Sequence, residues 1–255
     1  MTDALYPDLA EASVFVTGGG SGIGAALTEG FLRQGARVAF CQRSDATAFC
    51  DEMERATGRR PLFVPADISA LASLERALAA AAAAHGPITV LVNNAANDQR
   101  HETLAVDEAF WEQSIAINLK AYFFACRSVI PGMKAANGGS IINFTSISYM
   151  MGNSGYPVYV TANSGINGMT RALAREFGPD RIRVNAIAPG WVLTDKQKEM
   201  WVTPEALSAH LDRQCLKDTL APQDIVGGCV FLASSASRMM TGQSLVIDGG
   251  VVVTG

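Results

Sequence analysis

The sequence predicts one α/β domain over residues 1–255, a doubly wound parallel sheet with helices on both faces. Three observations predict it. Short, uninterrupted apolar runs recur along the chain, and such runs are typical of strands covered on both faces. Each run is followed by a segment of helical character, and right-handed crossovers then wind the sheet in both directions. The third observation is Val14-Phe-Val-Thr-Gly18-Gly-Gly-Ser-Gly22-Ile-Gly24-Ala-Ala-Leu27, where an apolar run stops, a glycine-rich turn follows, and a helical pattern resumes through Leu27, Phe31 and Leu32. That is strand, tight turn, helix.

The elements follow in order. After the first helix, Gly35 suits a C-terminal cap, and Arg37–Cys41 reads as the second strand. A polar helix runs to about Thr57, and Pro61–Pro65 is a third strand ending before Asp67. Ser69 to Ala84 is helical, with an Ala79–Ala84 run of the best helix former. Gly86-Pro87 stops that helix before the strand Ile88–Val92. Asp107 can cap a helix that continues, with interruptions, to about Ala136. Ser140–Thr145 and Arg183–Ile187 are strands on either side of a long helix from Pro157 to Phe177. Residues 190–220 are irregular with short helical pieces, Pro222 opens a helix to about Ala233, and Ser244–Ile247 closes the sheet. No linker or internal repeat interrupts this order.

Composition narrows the function. Hydrophobic residues make up 49% and charged residues 17%, which describes a globular protein with a large core. A net charge of −4 argues against nucleic acid or an anionic membrane as partner. No run approaches the ~20 apolar residues of a membrane span, and the first residues lack the pattern of a signal peptide. The five cysteines and three histidines are dispersed, so neither a disulfide framework nor a metal cluster is expected. The expected location is the cytoplasm.

The glycine turn carries the first chemistry. Glycine lets the backbone take unusual dihedrals and admit a pyrophosphate closely, and the phosphate then meets the positive end of a helix. Gly18, Ser21, Gly22, Ile23 and Gly24 are therefore candidate dinucleotide contacts. Cofactor choice is read about 20 residues on, where NAD enzymes place an acid. Here Gln42 and Arg43 stand there: no carboxylate repels a 2′-phosphate, and a guanidinium is at hand. NADP is expected over NAD, although Asp45 nearby weakens the case.

Four further stretches fall after strands, where such a sheet places its site: Asn93-Asn94-Ala95-Ala96, Asn118 within Ile-Ala-Ile-Asn-Leu-Lys, Thr145-Ser146-Ile-Ser148, and Tyr159-Val-Thr-Ala-Asn163. With the T-G-x-x-x-G-x-G turn and Pro189-Gly190-Trp-Val-Leu-Thr194, they resemble the short-chain dehydrogenase/reductase family along the whole chain. The resemblance implies a Rossmann-type sheet and an NAD(P)-dependent oxidoreductase. It implies that Ser146 hydrogen-bonds the reacting oxygen, that Tyr159 exchanges a proton with it, and that Asn118 holds a water in the proton relay. It implies cofactor contacts at Asp67, Ile68, Asn94, Pro189, Val192 and Thr194, and also at Tyr159 and Asn163. One position departs from the pattern. The family has Tyr-x-x-x-Lys, and Asn163 stands where that lysine holds the ribose and lowers the tyrosine pKa. Asparagine can bond a ribose hydroxyl but brings no charge.

Asn97, Arg100 and His101, and the run from Trp191 to Pro204, are similar to bacterial sugar dehydrogenases that oxidise xylose or galactose at C1. A polar wall of Asn97, Arg100, His101, Ser146 and Ser148, with Trp191 for the C–H face, would suit a sugar. The resulting expectation is an aldose 1-dehydrogenase forming a lactone. The alternatives are a dehydrogenase or reductase of another secondary alcohol or keto acid, and a cofactor-binding variant impaired by Asn163. The resemblance further implies a homotetramer, built on the long helices near 108–136 and 157–177.

Overall fold

A computed structural model describes residues 4–253. In chain order the strands are β1 (Ser13–Thr17), β2 (Arg37–Gln42), β3 (Leu62–Pro65), β4 (Val90–Asn93), β5 (Gly139–Phe144), β6 (Ile182–Pro189) and β7 (Ser244–Ile247). They form one sheet in the order β3-β2-β1-β4-β5-β6-β7, parallel throughout. The doubly wound expectation is met. Order reverses between β1 and β4, where successive crossovers leave in opposite directions and open a crevice at the carboxyl ends.

The helices follow the alternation. They are α1 (Gly22–Arg33), α2 (Thr47–Thr57), α3 (Leu71–His85), α4 (Glu108–Ile115), α5 (Ala121–Ala135), α6 (Ser148–Met151), α7 (Pro157–Phe177), α8 (Asp195–Met200), α9 (Pro204–Arg213) and α10 (Pro222–Ala233). Side chains alternate across β1: Val14 and Val16 pack with Leu27, Phe31 and Ile225 on the α1/α10 face, and Phe15 packs with Leu74 and Ile141 on the α3/α5/α7 face. Both faces are buried, which is why the strands read as unbroken apolar runs.

Two local features depart from the expected outline. The helix expected from Glu108 to about Ala136 is broken by a π-helical segment, Ala116–Lys120, between α4 and α5. The short helix α6 had no signal in the sequence; it is one turn ending at Gly152 with φ +63. No described helix is long and apolar enough to cross a membrane. Among the described residues no His/Cys/Asp/Glu group is arranged for a metal.

A buried polar ladder ties α7 to the sheet. Asn93 and Asn143 are register partners on β4 and β5, both fully buried. The Asn93 amide donates to Asn143 Oδ1 at 2.9 Å, and the Asn143 amide donates to Thr170 Oγ1 at 3.0 Å. One turn nearer the site, Thr145 Oγ1 and Asn167 Nδ2 both donate to the Asn163 carbonyl, at 3.1 and 3.0 Å. These bonds fix the rotation of α7 and hence the direction of Tyr159. Asn143→Ala orphans two buried groups, each costing about 1–3 kcal/mol. We therefore expect a loss of about 2–4 kcal/mol in a urea melt; a change within error would show the ladder to be dispensable.

Candidate active site

The glycine turn is held by its neighbours. Gly18 has φ +68, and a Cβ on Gly24 would lie 1.9 Å from the Gly18 carbonyl oxygen, so neither position tolerates a side chain without moving the turn. Thr17 Oγ1 accepts from the Asn94 and Ala95 amides at 2.9 and 3.0 Å, and Asn94 Nδ2 donates to the Thr17 carbonyl at 3.0 Å. Asn94 thus braces the turn across the crevice. Gln42 does so from the other side: Oε1 accepts from the Gly20 amide at 3.0 Å while Nε2 donates to Ser44. The Asp45 carboxylate is committed to Thr47. Arg43 makes no ion pair among the described residues and faces the same crevice.

A cleft of about 1250 Å³ runs along the carboxyl ends of the strands. Its glycine-turn end is lined by Gly18, Ser21, Gly22, Ile23, Gly24, Gln42, Arg43, Asp67, Ile68 and Asn94. Asp67 takes the amide and hydroxyl of Ser69 at 2.9 and 2.7 Å; the Ser69 bond outweighs burial and holds its carboxyl below the usual range. Pro189, Val192 and Thr194 form the far lip, with Thr194 also capping α8 and abutting Gly22. A glycine cradle at the start of α1, opening into so long a cleft, fits a dinucleotide in size and in the donors it presents.

The other end gathers Asn97, Arg100, Asn118, Ser146, Ser148, Tyr159, Asn163 and Trp191. The π-helical segment turns Asn118 inward, where its amide clamps the Asn97 backbone: Oδ1 accepts from the Asn97 N–H at 2.8 Å and Nδ2 donates to its carbonyl at 3.0 Å. Both atoms of that amide are therefore engaged within the protein. Ser146 Oγ accepts from the Ser148 amide at 3.1 Å, and the Ser148 hydroxyl, buried, has no partner among the described residues. Asn163, 2% exposed, donates to the Tyr159 carbonyl at 2.8 Å. Burial pushes the Tyr159 phenol up to about 12, Asp98 adds to the rise, and Asn163 and Ser146 offset only part of it. Tyr122 on α5, fully buried, is itself raised by burial and by the nearby Tyr159.

His101 is a correction to the polar wall. It lies outside the cleft: its ring packs on Phe110 with centroids 4.7 Å apart, and Nε2 accepts from the Val158 amide at the start of α7. With Nδ1 3.1 Å from the Gln99 carbonyl, both ring nitrogens serve the loop. Trp191 lines the cleft, but its indole N–H is already donated to Gln197 Oε1 at 2.9 Å.

Several cleft residues had escaped sequence reasoning. Asp98 accepts from Lys196 at 3.1 Å and from Gln197 at 2.8 Å, tying the loop after β4 to α8. Burial opposes its ionisation, but Lys196 and these bonds win and keep it below the usual carboxylate range. Tyr156 stacks on Tyr159, and Asn153 donates to its hydroxyl. His210 packs edge-on against Trp191; its Nε2 and the Trp201 indole N–H are buried without a partner.

Comparison with known proteins places the chain. The family model described as enoyl-(acyl carrier protein) reductase matches residues 18–252. The protein named probable galactose dehydrogenase GalD of Rhizobium meliloti is 47% identical, covering 96% of this chain and 97% of its own. A D-xylose 1-dehydrogenase of Caulobacter vibrioides is 44% identical over 98% of this chain and 99% of its own. Among solved structures, one from Sinorhizobium meliloti, provisionally assigned as a short-chain alcohol dehydrogenase, superposes with a TM-score of 0.90 at 33% identity, over 95% of this chain and 96% of the other. The chain belongs to the short-chain dehydrogenase/reductase family, and it is an oxidoreductase that works with a nicotinamide cofactor.

Proposed function

We propose that this enzyme is an NADP-preferring aldose 1-dehydrogenase that converts a sugar to its lactone. The observation that carries the reading is the convergence of Ser146 and Tyr159 on the polar end of a cleft whose other end is a dinucleotide cradle. The names of the galactose and xylose dehydrogenases point the same way. When bound, the nicotinamide supplies the hydride acceptor. The chain's own part is position and the proton: Ser146 bonds the C1 oxygen and Tyr159 takes its proton. The Ser148 hydroxyl, without a partner among the described residues and lining the same cleft as Asn97 and Arg100, offers a sugar hydroxyl a bond that the protein itself does not make. Asn118, with its amide committed to Asn97, contributes by fixing the loop of Asn97 and Asp98 rather than through a side-chain contact to water.

The free guanidinium of Arg43, with Gln42 neutral and Asp45 engaged elsewhere, supports NADP. The five free cysteines suit a reducing compartment such as the cytoplasm. Leu104, Trp111 and Phe123 are exposed on and before the α4–α5 stretch, which supports the homotetramer; light scattering at micromolar concentration checks it, and a monomer excludes it.

The direct test is a panel of aldoses and secondary alcohols with each cofactor, followed by absorbance of the reduced nicotinamide. Turnover confined to aldoses supports the reading, and turnover confined to other alcohols replaces it. Cofactor binding with no turnover on any of them would show that Asn163 has impaired the chemistry. Because Tyr159 titrates high, its base form is scarce at neutral pH, about one part in 10⁵. Oxidation should therefore accelerate steadily as pH rises from 7 to 10.

Arg43→Ala should weaken NADP binding by about ten- to a hundredfold and leave NAD nearly unchanged. Equal losses would reassign the enzyme to NAD. Asn163→Lys places an ammonium beside the phenol, which favours the phenolate. We expect kcat/KM at neutral pH to rise by about 10²–10⁴-fold, with the pH–rate curve moved to lower pH. An enzyme that is already fully active at pH 7 with Asn163 would show that Tyr159 is activated by some other group.

A further inference from the structure

Arg100 is an exposed cation in an unusual place. Its guanidinium carbon lies 3.7 Å from the centroid of the Tyr156 ring, with the Trp201 ring 5.4 Å away. Tyr156 is in turn stacked on Tyr159, centroids 5.5 Å apart and planes 17° from parallel. The two separations put the guanidinium within about 9 Å of the Tyr159 ring. Tyr156 is only 6% exposed and is held by the Asn153 bond to its hydroxyl, 3.1 Å. The path from the charge to Tyr159 therefore leads past packed aromatic rings instead of bulk water, which screens it less.

The other groups around Tyr159 do not supply a cation. Ser146 reaches it from the end of β5, Tyr122 from α5 and Asn163 from its own helix, all neutral. Asp98, from the loop after β4, is negative and opposes a phenolate; Lys196 of α8 is engaged with Asp98. Arg100 forms no ion pair among the described residues. We propose that Arg100 is a positioning residue for the reaction: stacked on Tyr156, it locks the Tyr156–Tyr159 ring pair and supplies part of the positive charge that Asn163 cannot. Arg100 acts through the stack, in addition to any contact with substrate. The inference rests on Tyr159 being the base.

The test is a charge series at one exposed position, with little risk to folding. kcat and KM are measured against pH for Arg100→Lys, Arg100→Met and Arg100→Glu on an aldose that the enzyme turns over. We expect Arg100→Met to displace the rising limb of kcat by about half a unit to one unit to higher pH, which is about three- to tenfold in rate at a given pH. Arg100→Lys should keep most of the rate, Arg100→Glu should lose more than Arg100→Met, and added salt should narrow the spread. The losses should follow the charge at position 100 and shrink with ionic strength, as those of a purely structural defect would not. Curves that superimpose, a loss confined to KM, or losses that ignore the sign of the charge at position 100 and do not narrow with salt would each overturn the proposal. Tyr159→Phe run alongside separates the two readings. If it retains wild-type activity, the assignment of the base has failed; if it is inactive while Arg100→Met overlays wild type, only the role of Arg100 has.

Discussion

The clasp between Thr17 and Asn94 is the constraint on which the site depends. Parallel strands β1 and β4 lie side by side, but their crossovers leave in opposite directions, so nothing in the sheet ladder closes the space above their carboxyl ends. Three hydrogen bonds among Thr17, Asn94 and Ala95 close it at the base and leave it open at the top. The glycine turn is pinned from β1, from β2 through Gln42, and from α1 through Thr28, whose hydroxyl donates to the Gly19 carbonyl at 2.8 Å. A turn of glycines alone would be entropically loose. Fastened on three sides, it presents a fixed row of backbone donors at a helix start, which is what an anion requires.

Much of this was legible because the physics is local. A strand buried on both faces is apolar at most positions, and the apolar runs within β1, β4 and β5 announce themselves that way. The glycine spacing followed by an amphipathic stretch pointed to one end of the crevice, and the cleft gathers there the residues read from the sequence. What was not legible is what depends on partners far apart in the chain. Asn93 and Asn143 sit in apolar strands fifty residues apart, and only the β4–β5 register shows that the Asn93 amide donates to Asn143 Oδ1. His101 reads as a polar residue near a site; its position against Phe110 and the start of α7 belongs to tertiary packing. The π-helical segment has no compositional mark, yet it turns Asn118 inward, and π-bulges in helices often accompany functional positions.

The electrostatics of the cleft are arranged around an absence. Position 163 is four residues from Tyr159 on one helix face, so a cation there would stand next to the phenol. Asparagine fills the place sterically, and its amide satisfies the Tyr159 carbonyl, but it leaves the phenolate with no adjacent positive charge. Burial then dominates, and burial always disfavours the charged form. Asp98 would worsen matters if it were bare. Its pairing with Lys196 and Gln197 spreads that charge toward α8, and the same three-way contact ties the segment bearing Trp191 across the cleft, since Gln197 also accepts the Trp191 indole N–H. One acidic residue therefore couples two demands, closing the substrate end and limiting the repulsion felt by Tyr159.

That coupling explains why restoring a lysine at 163 is not equivalent to returning to a generic member of the family. An ammonium beside Tyr159 would also see Asp98, whose carboxylate is paired with Lys196 of α8. A partner on each side would divide its attraction and loosen the hold on Lys196, whose side chain is half exposed and so only weakly bound to begin with. Gain at the proton-transfer step is thus opposed by a looser loop around Trp191, and the balance is decided by depth. The phenol lies within the cleft, shielded from bulk water, where a charge acts more strongly, while the Lys196 ammonium is half exposed, where a charge acts weakly. The chemical step should improve by more than the loop loses, with the cost appearing in the affinity for the sugar and not in the rate of its oxidation.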